Sequence, residues 1–294
     1  MDIYRSRLIT PLAGLISTAL ILTPAWGDRF DNLWYDGTAE ISTYELREKR
    51  YGQMRVGRRI MVFVTEPMRL SNHIKPDNPI PESEKIPVLK LNDLRTFTTG
   101  IYEYSVMTSV FTAVQQQHGV PLWGTMKVAF SAQEWCGVVF ERMVRTDTTY
   151  SGVWYSYFES EGEGAYSFPT AGHVETEDNL WIRVRELRGE RMEQGEQQSF
   201  KLLPSAWTRR KRHIGPSLVD ATLTKGKSQT IVTEIGKMKA TVFRWEFDGG
   251  VTTVYVEDAY PRRILAWEEP DGSSGTILAT KRSTYWEEHG NEDE

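Results

Sequence analysis

Apolar and polar residues alternate at every second position through most of this chain, and a chain patterned in that way must pair its backbone as strands. Thr38 to Leu46 opens with the alternation. Arg59 to Thr65 is a more fully apolar run that Pro67 is expected to close. Further strands are predicted near 88–91, 96–113, 122–132, 135–145 and 149–159. After Ser217 they return near 218–224, 228–235, 240–247, 251–257, 263–268 and 276–286. Tyr51-Gly52, Gly57, Asp248-Gly249-Gly250 and Asp271-Gly272 read as turn or bulge positions. Pro76, Pro79, Pro81 and Pro87 make 71–87 a long loop.

Only two segments break the period. Thr176-Glu177-Asp178 ahead of Leu180, Val184 and Leu187 has the acids-first pattern of a helix start, and a second short helix is expected near Pro204 to Arg212. The expectation is an all-β fold, an antiparallel rolled sheet or open barrel with one or two short helices. It forms one domain over 28–288, followed by an acidic tail at 289–294.

Residues 1–27 read as a secretory signal peptide. Arg5 and Arg7 precede the apolar stretch Leu8 to Leu22, and Pro24-Ala25-Trp26-Gly27 offers small residues for cleavage before Asp28. The apolar core is about 15 residues, short of the roughly 20 that span a bilayer, although retention as an N-terminal anchor is the alternative. No cysteine stands there to carry a lipid. The expected product is an exported bacterial protein, periplasmic or secreted, with no transmembrane span in the mature chain.

The single cysteine, Cys136, excludes an intrachain disulfide framework and a multi-cysteine zinc site. The five histidines include no pair spaced three or four residues apart, so no metal and no cofactor are expected. With 35 basic against 40 acidic residues, there is no general attraction to nucleic acid.

Several strings resemble a family of exported bacterial proteins of unknown function. They are Trp34 to Ile41, Ser42 to Leu46, Val62 to Glu66, Val88 to Asn92, Phe97 to Tyr102, Tyr104 to Met107 and Ser131 to Gly137. Some copies of that family carry the label "septum formation inhibitor Maf". The Ser-Pro-Arg-Arg motif of the cytoplasmic Maf nucleotide pyrophosphatases does not occur here, so the label brings no chemistry with it. Tyr260-Pro261-Arg262-Arg263-Ile264-Leu265 is similar, at fold level, to periplasmic β-roll proteins of the cell envelope. The resemblance implies export and a place in the envelope.

Two candidate sites stand out. Gln133, Glu134, Trp135 and Cys136 form the densest polar-aromatic string. Cys136 there is either a nucleophile or, between Trp135 and Gly137, a packed small hydrophobe; packing is expected. Arg183 and Arg185, with Arg209, Arg210 and Arg212, form basic runs that suit an anionic partner, or a solvated face balanced by nearby glutamates. Most tryptophans are expected in the interior. No catalytic constellation is recognisable, so the leading expectation is a non-catalytic protein that binds an envelope component (protein, lipid or polysaccharide). The alternatives are a hydrolase centred on Glu134 and Cys136, or a carrier of lipid or other hydrophobic cargo.

Overall fold

The computed structural model describes residues 26–293. The export signal expected over residues 1–27 therefore lies outside the described residues except for its last two. The first half of the chain forms α1 (Trp26–Trp34), β1 (Ala39–Arg50), β2 (Gln53–Arg69), β3 (Lys85–Thr99), β4 (Tyr102–Ala113), β5 (Thr125–Glu134), β6 (Gly137–Arg145), β7 (Thr149–Ser156) and β8 (Glu163–Pro169). The second half forms β9 (Val174–Thr176), α2 (Glu177–Arg183), β10 (Gln197–Leu203), α3 (Ala206–Arg212), β11 (Val219–Thr233), β12 (Gly236–Phe247), β13 (Gly250–Glu257), β14 (Ile264–Glu268) and β15 (Ser274–Ser283).

All fifteen strands join one sheet in the order β8-β7-β6-β5-β4-β3-β2-β1-β15-β14-β13-β12-β11-β10-β9. Neighbours in space are neighbours in sequence except where β1 meets β15. The sheet is a nearly closed, barrel-like meander, antiparallel but for the β9–β10 pair. Its two free edges, β8 and β9, follow each other in the chain and are short, which limits the unpaired backbone a closed sheet would otherwise remove. Parallel strands need a crossover, and α2 lies on the one between β9 and β10.

Closure at this strand number sets a volume problem. About eight strands enclose a lumen that their own side chains can fill, and more strands enclose more. Here the space is taken by α2 and α3 together with tryptophans and long charged side chains. On β1 the inward residues are Glu40, Ser42, Tyr44, Leu46, Glu48 and Arg50, all buried. Register places Arg59 of β2 beside Tyr44 on one flank and Arg95 of β3 on the other. From α2, Leu180, Trp181, Ile182 and Arg183 are buried, and Asn179 donates to the Trp123 carbonyl at 2.9 Å. Ser205 caps α3 by accepting from the Thr208 amide at 3.0 Å, and Trp207 donates to Glu48 at 3.0 Å.

The all-β expectation holds, with corrections. Among the described residues there are three short α-helices rather than one or two. The unforeseen one, α1, starts on residues that read as the end of a leader, and it buries Phe30 and Trp34. The run 96–113 is the end of β3 and all of β4, with a hairpin at Gly100 (φ +63°) and Ile101. Pro67 does not end β2. It pairs with Pro87, whose carbonyl accepts from Val114 on the opposite side, so the missing amides face away from the β2–β3 ladder. Gly57 is mid-strand, where an added Cβ would stand 2.2 Å from the Thr96 carbonyl oxygen. The predicted segments 218–224 and 228–235 are one strand with a register shift at Lys225/Ser228. Strands β8, β9 and β10 went unread, being three to seven residues long and, in β8 and β10, rich in polar residues. Tyr51-Gly52 and Asp248-Gly249 are two-residue hairpin turns with both residues in the left-handed region, as their composition requires.

Gly275 tests the tightness of the closure. Its Cβ position lies 2.2 Å from a ring atom of Trp267 and 2.8 Å from the Glu45 carbonyl oxygen. Gly275→Ala should therefore lower the unfolding free energy by about 1–3 kcal/mol, through overpacking where β15 runs between β1 and β14. Urea titration of the variant checks it, and an unchanged midpoint would show that the seam can yield.

Candidate functional site

The structure separates the residues singled out from sequence. Trp135 and Cys136 form the two-residue turn of the β5–β6 hairpin, far more open than packing would require. Cys136 is exposed, which corrects the expectation of a small buried hydrophobe; it stands in the hairpin turn, outside the ladder. Glu134 accepts from the Cys136 amide at 2.7 Å, and its carboxylate holds the thiol above its usual pKa. A raised thiol pKa is the opposite of what activates a nucleophile. Gln133 is exposed on β5.

Four of the five arginines point inward. Arg183 pairs with Glu175 at 2.5 Å. Arg185, fully buried, pairs with Glu40 at 2.8 Å, donates to the carbonyls of Pro261 and Arg262, and lies over the Phe63 ring. Arg209 donates twice to Glu141 at 2.6 Å, and Arg210 twice to Glu161 at 2.6 and 2.8 Å. Arg212 alone is exposed, 3.5 Å from Asp248. Buried in this way, the first four serve as packing and ion-pair groups of the interior.

The interior also holds a continuous charge network. Arg59 makes a bidentate pair with Asp93 at 2.6 and 2.7 Å. Its guanidinium lies between the faces of Trp181 and Trp267, 4.1 and 4.4 Å from their centres. Arg95 bridges Glu48 and Glu269. Glu48, Glu269 and Asp271 are the three-carboxylate group that could hold a metal ion, but the Lys211 ammonium sits among them at 3.2, 3.0 and 2.8 Å. A lysine thus supplies the positive charge that a cation would bring, while Lys211 and Arg95 hold the Glu269 carboxyl down at about 2 against the cost of its burial. Nearby, Asp178 lines a cavity of about 20 Å³ with Asp93, Thr108, Glu177 and Thr252. Burial, then the Glu177, Glu141 and Asp93 carboxylates, push its carboxyl up to about 8, so it is protonated at neutral pH.

A more open site lies at one end of the barrel, where the β2–β3, β4–β5 and β6–β7 connections come together. Antiparallel order places these alternate connections at the same rim. They enclose a concavity of about 590 Å³ with Leu70, Val120 and Met126 among its apolar lining and His73, His118, Arg145 and Asp147 among its polar lining. His73 and His118 sit at left-handed turn positions. Gln117 and Val120 exchange backbone bonds around the His118-Gly119 turn. Arg145, the last inward residue of β6, is buried, and its guanidinium bonds the Tyr150 hydroxyl at 2.9 Å. Lys127 donates to the His73 carbonyl at 3.2 Å. Burial lowers the His73 pKa; a bond to the Arg145 backbone opposes the shift, and Lys127 and Arg142 reinforce it.

Among the described residues no carboxylate stands within ion-pair distance of Lys127, Arg142 or Arg145. Glu66, which acts on Lys127 from farther away, is held by Lys90 at 2.8 Å. Three cations therefore lie at or near this rim, Arg145 in the pocket lining and Lys127 and Arg142 close enough to act on His73, and Asp147 is the acid in the lining. The pocket contains no hydrogen-bonded nucleophile–base pair among the described residues. Sequence reasoning missed it because its parts come from three loops more than seventy residues apart in span, and none carries a local motif. Sequence offers no signal for it, since Glu141 stands beside Arg142 and Asp147 two residues after Arg145, and only the fold directs Glu141 inward to Arg209.

No family model, curated protein or solved structure matches this chain.

Two measurements follow from the interior. Lys211→Met should strand Glu48, Glu269 and Asp271 together and cost about 3–5 kcal/mol, read by chemical denaturation. Asp178 has the opposite sense. Its folded pKa lies above the ordinary 3.8, so the folded state holds a proton that the unfolded chain has released. Stability should fall as pH rises from near 4 to near 8. Asp178→Asn should remove that slope, raising the melting temperature more at about pH 8 than at about pH 5. Equal gains at both would place the proton elsewhere.

Proposed function

We propose that this is an exported, non-catalytic binding protein of the cell envelope, and that the rim pocket takes an anionic group of its ligand. The observation that carries the reading is the buried Arg145 guanidinium in the lining of that concavity, which bonds the Tyr150 hydroxyl and no carboxylate among the described residues, with Lys127 and Arg142 close enough to lower the His73 pKa. Buried arginine donors that lack an acid gain most from a phosphate or carboxylate oxygen. Export rests on the leader-like residues 1–27, and an envelope ligand follows from that location.

The alternatives fare less well on the same chemistry. A hydrolase using Cys136 would need a lowered thiol pKa, and Glu134 raises it. A carrier enclosing hydrophobic cargo would need interior space, and α2, α3 and the tryptophans Trp181, Trp207, Trp245 and Trp267 occupy the inside of the sheet. Within the described residues no helix is long and apolar enough to cross a membrane.

Titration with inorganic phosphate, followed by the His73 ring resonances, tests the pocket. The free protein should show a His73 pKa below the ordinary 6.5, and phosphate should raise it. Binding should strengthen as pH falls through that value, because the protonated ring adds a positive charge beside the anion. Arg145→Gln should weaken phosphate at least tenfold, the equivalent of about 1.4 kcal/mol for a lost charge-assisted bond. Unchanged affinity in that variant would remove the pocket from the argument. N-terminal sequencing tests export separately: protein recovered from outside the cytoplasmic membrane should begin at Asp28.

A further inference from the structure

The apolar side of the rim pocket is the end of a hydrophobic cluster distinct from the barrel core. Met68 of β2 pairs with Ile86 of β3, Val88 of β3 pairs with Ala113 of β4, and Val120 and Met126 join these four in a buried set. Satellite clusters of this kind form beneath long loops. Here the β2–β3 connection brings Leu70 to the cluster, and the β4–β5 connection brings Val120. Leu70, Val120 and Met126 also line the pocket, so one wall of the concavity is continuous with the cluster. Hydrogen bonds hold that wall in place. The Leu70 amide donates to the Glu84 carbonyl at 2.9 Å, Gln117 and Val120 exchange backbone bonds of 3.1 and 2.9 Å, and the Gln117 side chain donates to the Lys85 carbonyl at 3.3 Å. The polar part of the lining includes Arg145, at the end of β6, with Thr146 and Asp147 directly after it in the chain.

We propose that the rim pocket takes an amphipathic anion, a phosphate monoester whose apolar substituent lies on Leu70, Val120 and Met126 while its phosphate meets the Arg145 guanidinium. This ligand class rests on the reading of the rim as an anion site, and it specifies the molecule that carries the charge. Volume favours an ester over a bare ion. A phosphate ion fills on the order of 60–90 Å³, roughly two or three waters at about 30 Å³ each. The concavity measures about 590 Å³. The remaining space is bounded on one side by apolar side chains, which gain from contact with hydrocarbon rather than with water. Because that wall is fixed by its own backbone bonds, little ordering of the protein offsets the gain. Asp147 shares the lining, and a singly charged head is repelled there half as strongly as a dianion.

Calorimetric titration with inorganic phosphate and with ethyl, butyl and hexyl phosphate tests it, using the protein as isolated from the cell. At about pH 5.5, below a second phosphate pKa of about 6, each ligand carries chiefly one charge. Affinity should rise about twofold to fourfold for each added methylene, the gain expected of a group between half and fully buried. Hexyl phosphate should therefore bind at least tenfold more tightly than ethyl phosphate. Leu70→Ser should cut that ratio at least threefold, and Arg145→Gln should weaken every ester at least tenfold, because all share the head. If Leu70→Ser fails to fold, Val120→Thr, similar in shape, should reduce the ratio in the same sense. Esters that bind no more tightly than inorganic phosphate would overturn the amphipathic ligand and leave the anion site standing. Esters that tighten with chain length but bind Arg145→Gln as well as wild type would overturn it too, because the tail would then lie elsewhere. Failure of phosphate and of every ester to bind would remove the anion site itself, and the ester with it.

Discussion

The volume inside a fifteen-stranded sheet governs what the rest of this molecule can be. A sheet of this size cannot be filled by the inward residues of its strands alone, and an unfilled polar interior would admit water. The chain meets the demand with long side chains. Arg59 spans from β2 to the space between two indoles, Arg185 crosses from the end of α2 to β1, and Lys211 reaches three carboxylates from α3. Each such charge is tolerable only because partners and ring faces surround it. Removing one partner leaves a buried charge, so these groups bind the helices to the sheet more strictly than apolar contacts of equal area would.

This explains why the arginine-rich segments mislead when read as sequence. A run such as Arg209-Arg210-Lys211-Arg212 resembles an exposed basic patch, and its density is that of a surface feature. On a helix seven residues long inside a barrel, those side chains radiate in different directions and find separate acids: Glu141, Glu161, the Glu48 group and Asp248. The acids come from four distant places in the chain, so no local window contains the pairs. The strands, by contrast, were legible, because period-two alternation is local and closure leaves an inside and an outside at every residue. Short β8 and β9 were not legible, since seven and three residues carry too little alternation to stand above loop sequence.

The same local rule shows why Cys136 was misread. Composition alone makes a lone cysteine beside tryptophan look like core. The pairing of Glu134 with Gly137 instead makes residues 135 and 136 a hairpin turn, where Cys136 stands exposed and the Trp135 ring lies 6.1 Å from that of Tyr102. The exposed Trp135 is then the informative residue. An indole at a tip costs solubility unless something covers it.

Interior and exterior therefore divide the charges between them by pairing. Inside, almost every cation is matched, and the matching holds the helices in place. At the rim, Lys127, Arg142 and Arg145 have no carboxylate within ion-pair distance among the described residues, as is also true of buried Arg50, which bonds Tyr104 as Arg145 bonds Tyr150. Positive charges clustered without acids repel one another and destabilise the fold in isolation. An anion at the rim, as proposed, would turn that repulsion into attraction.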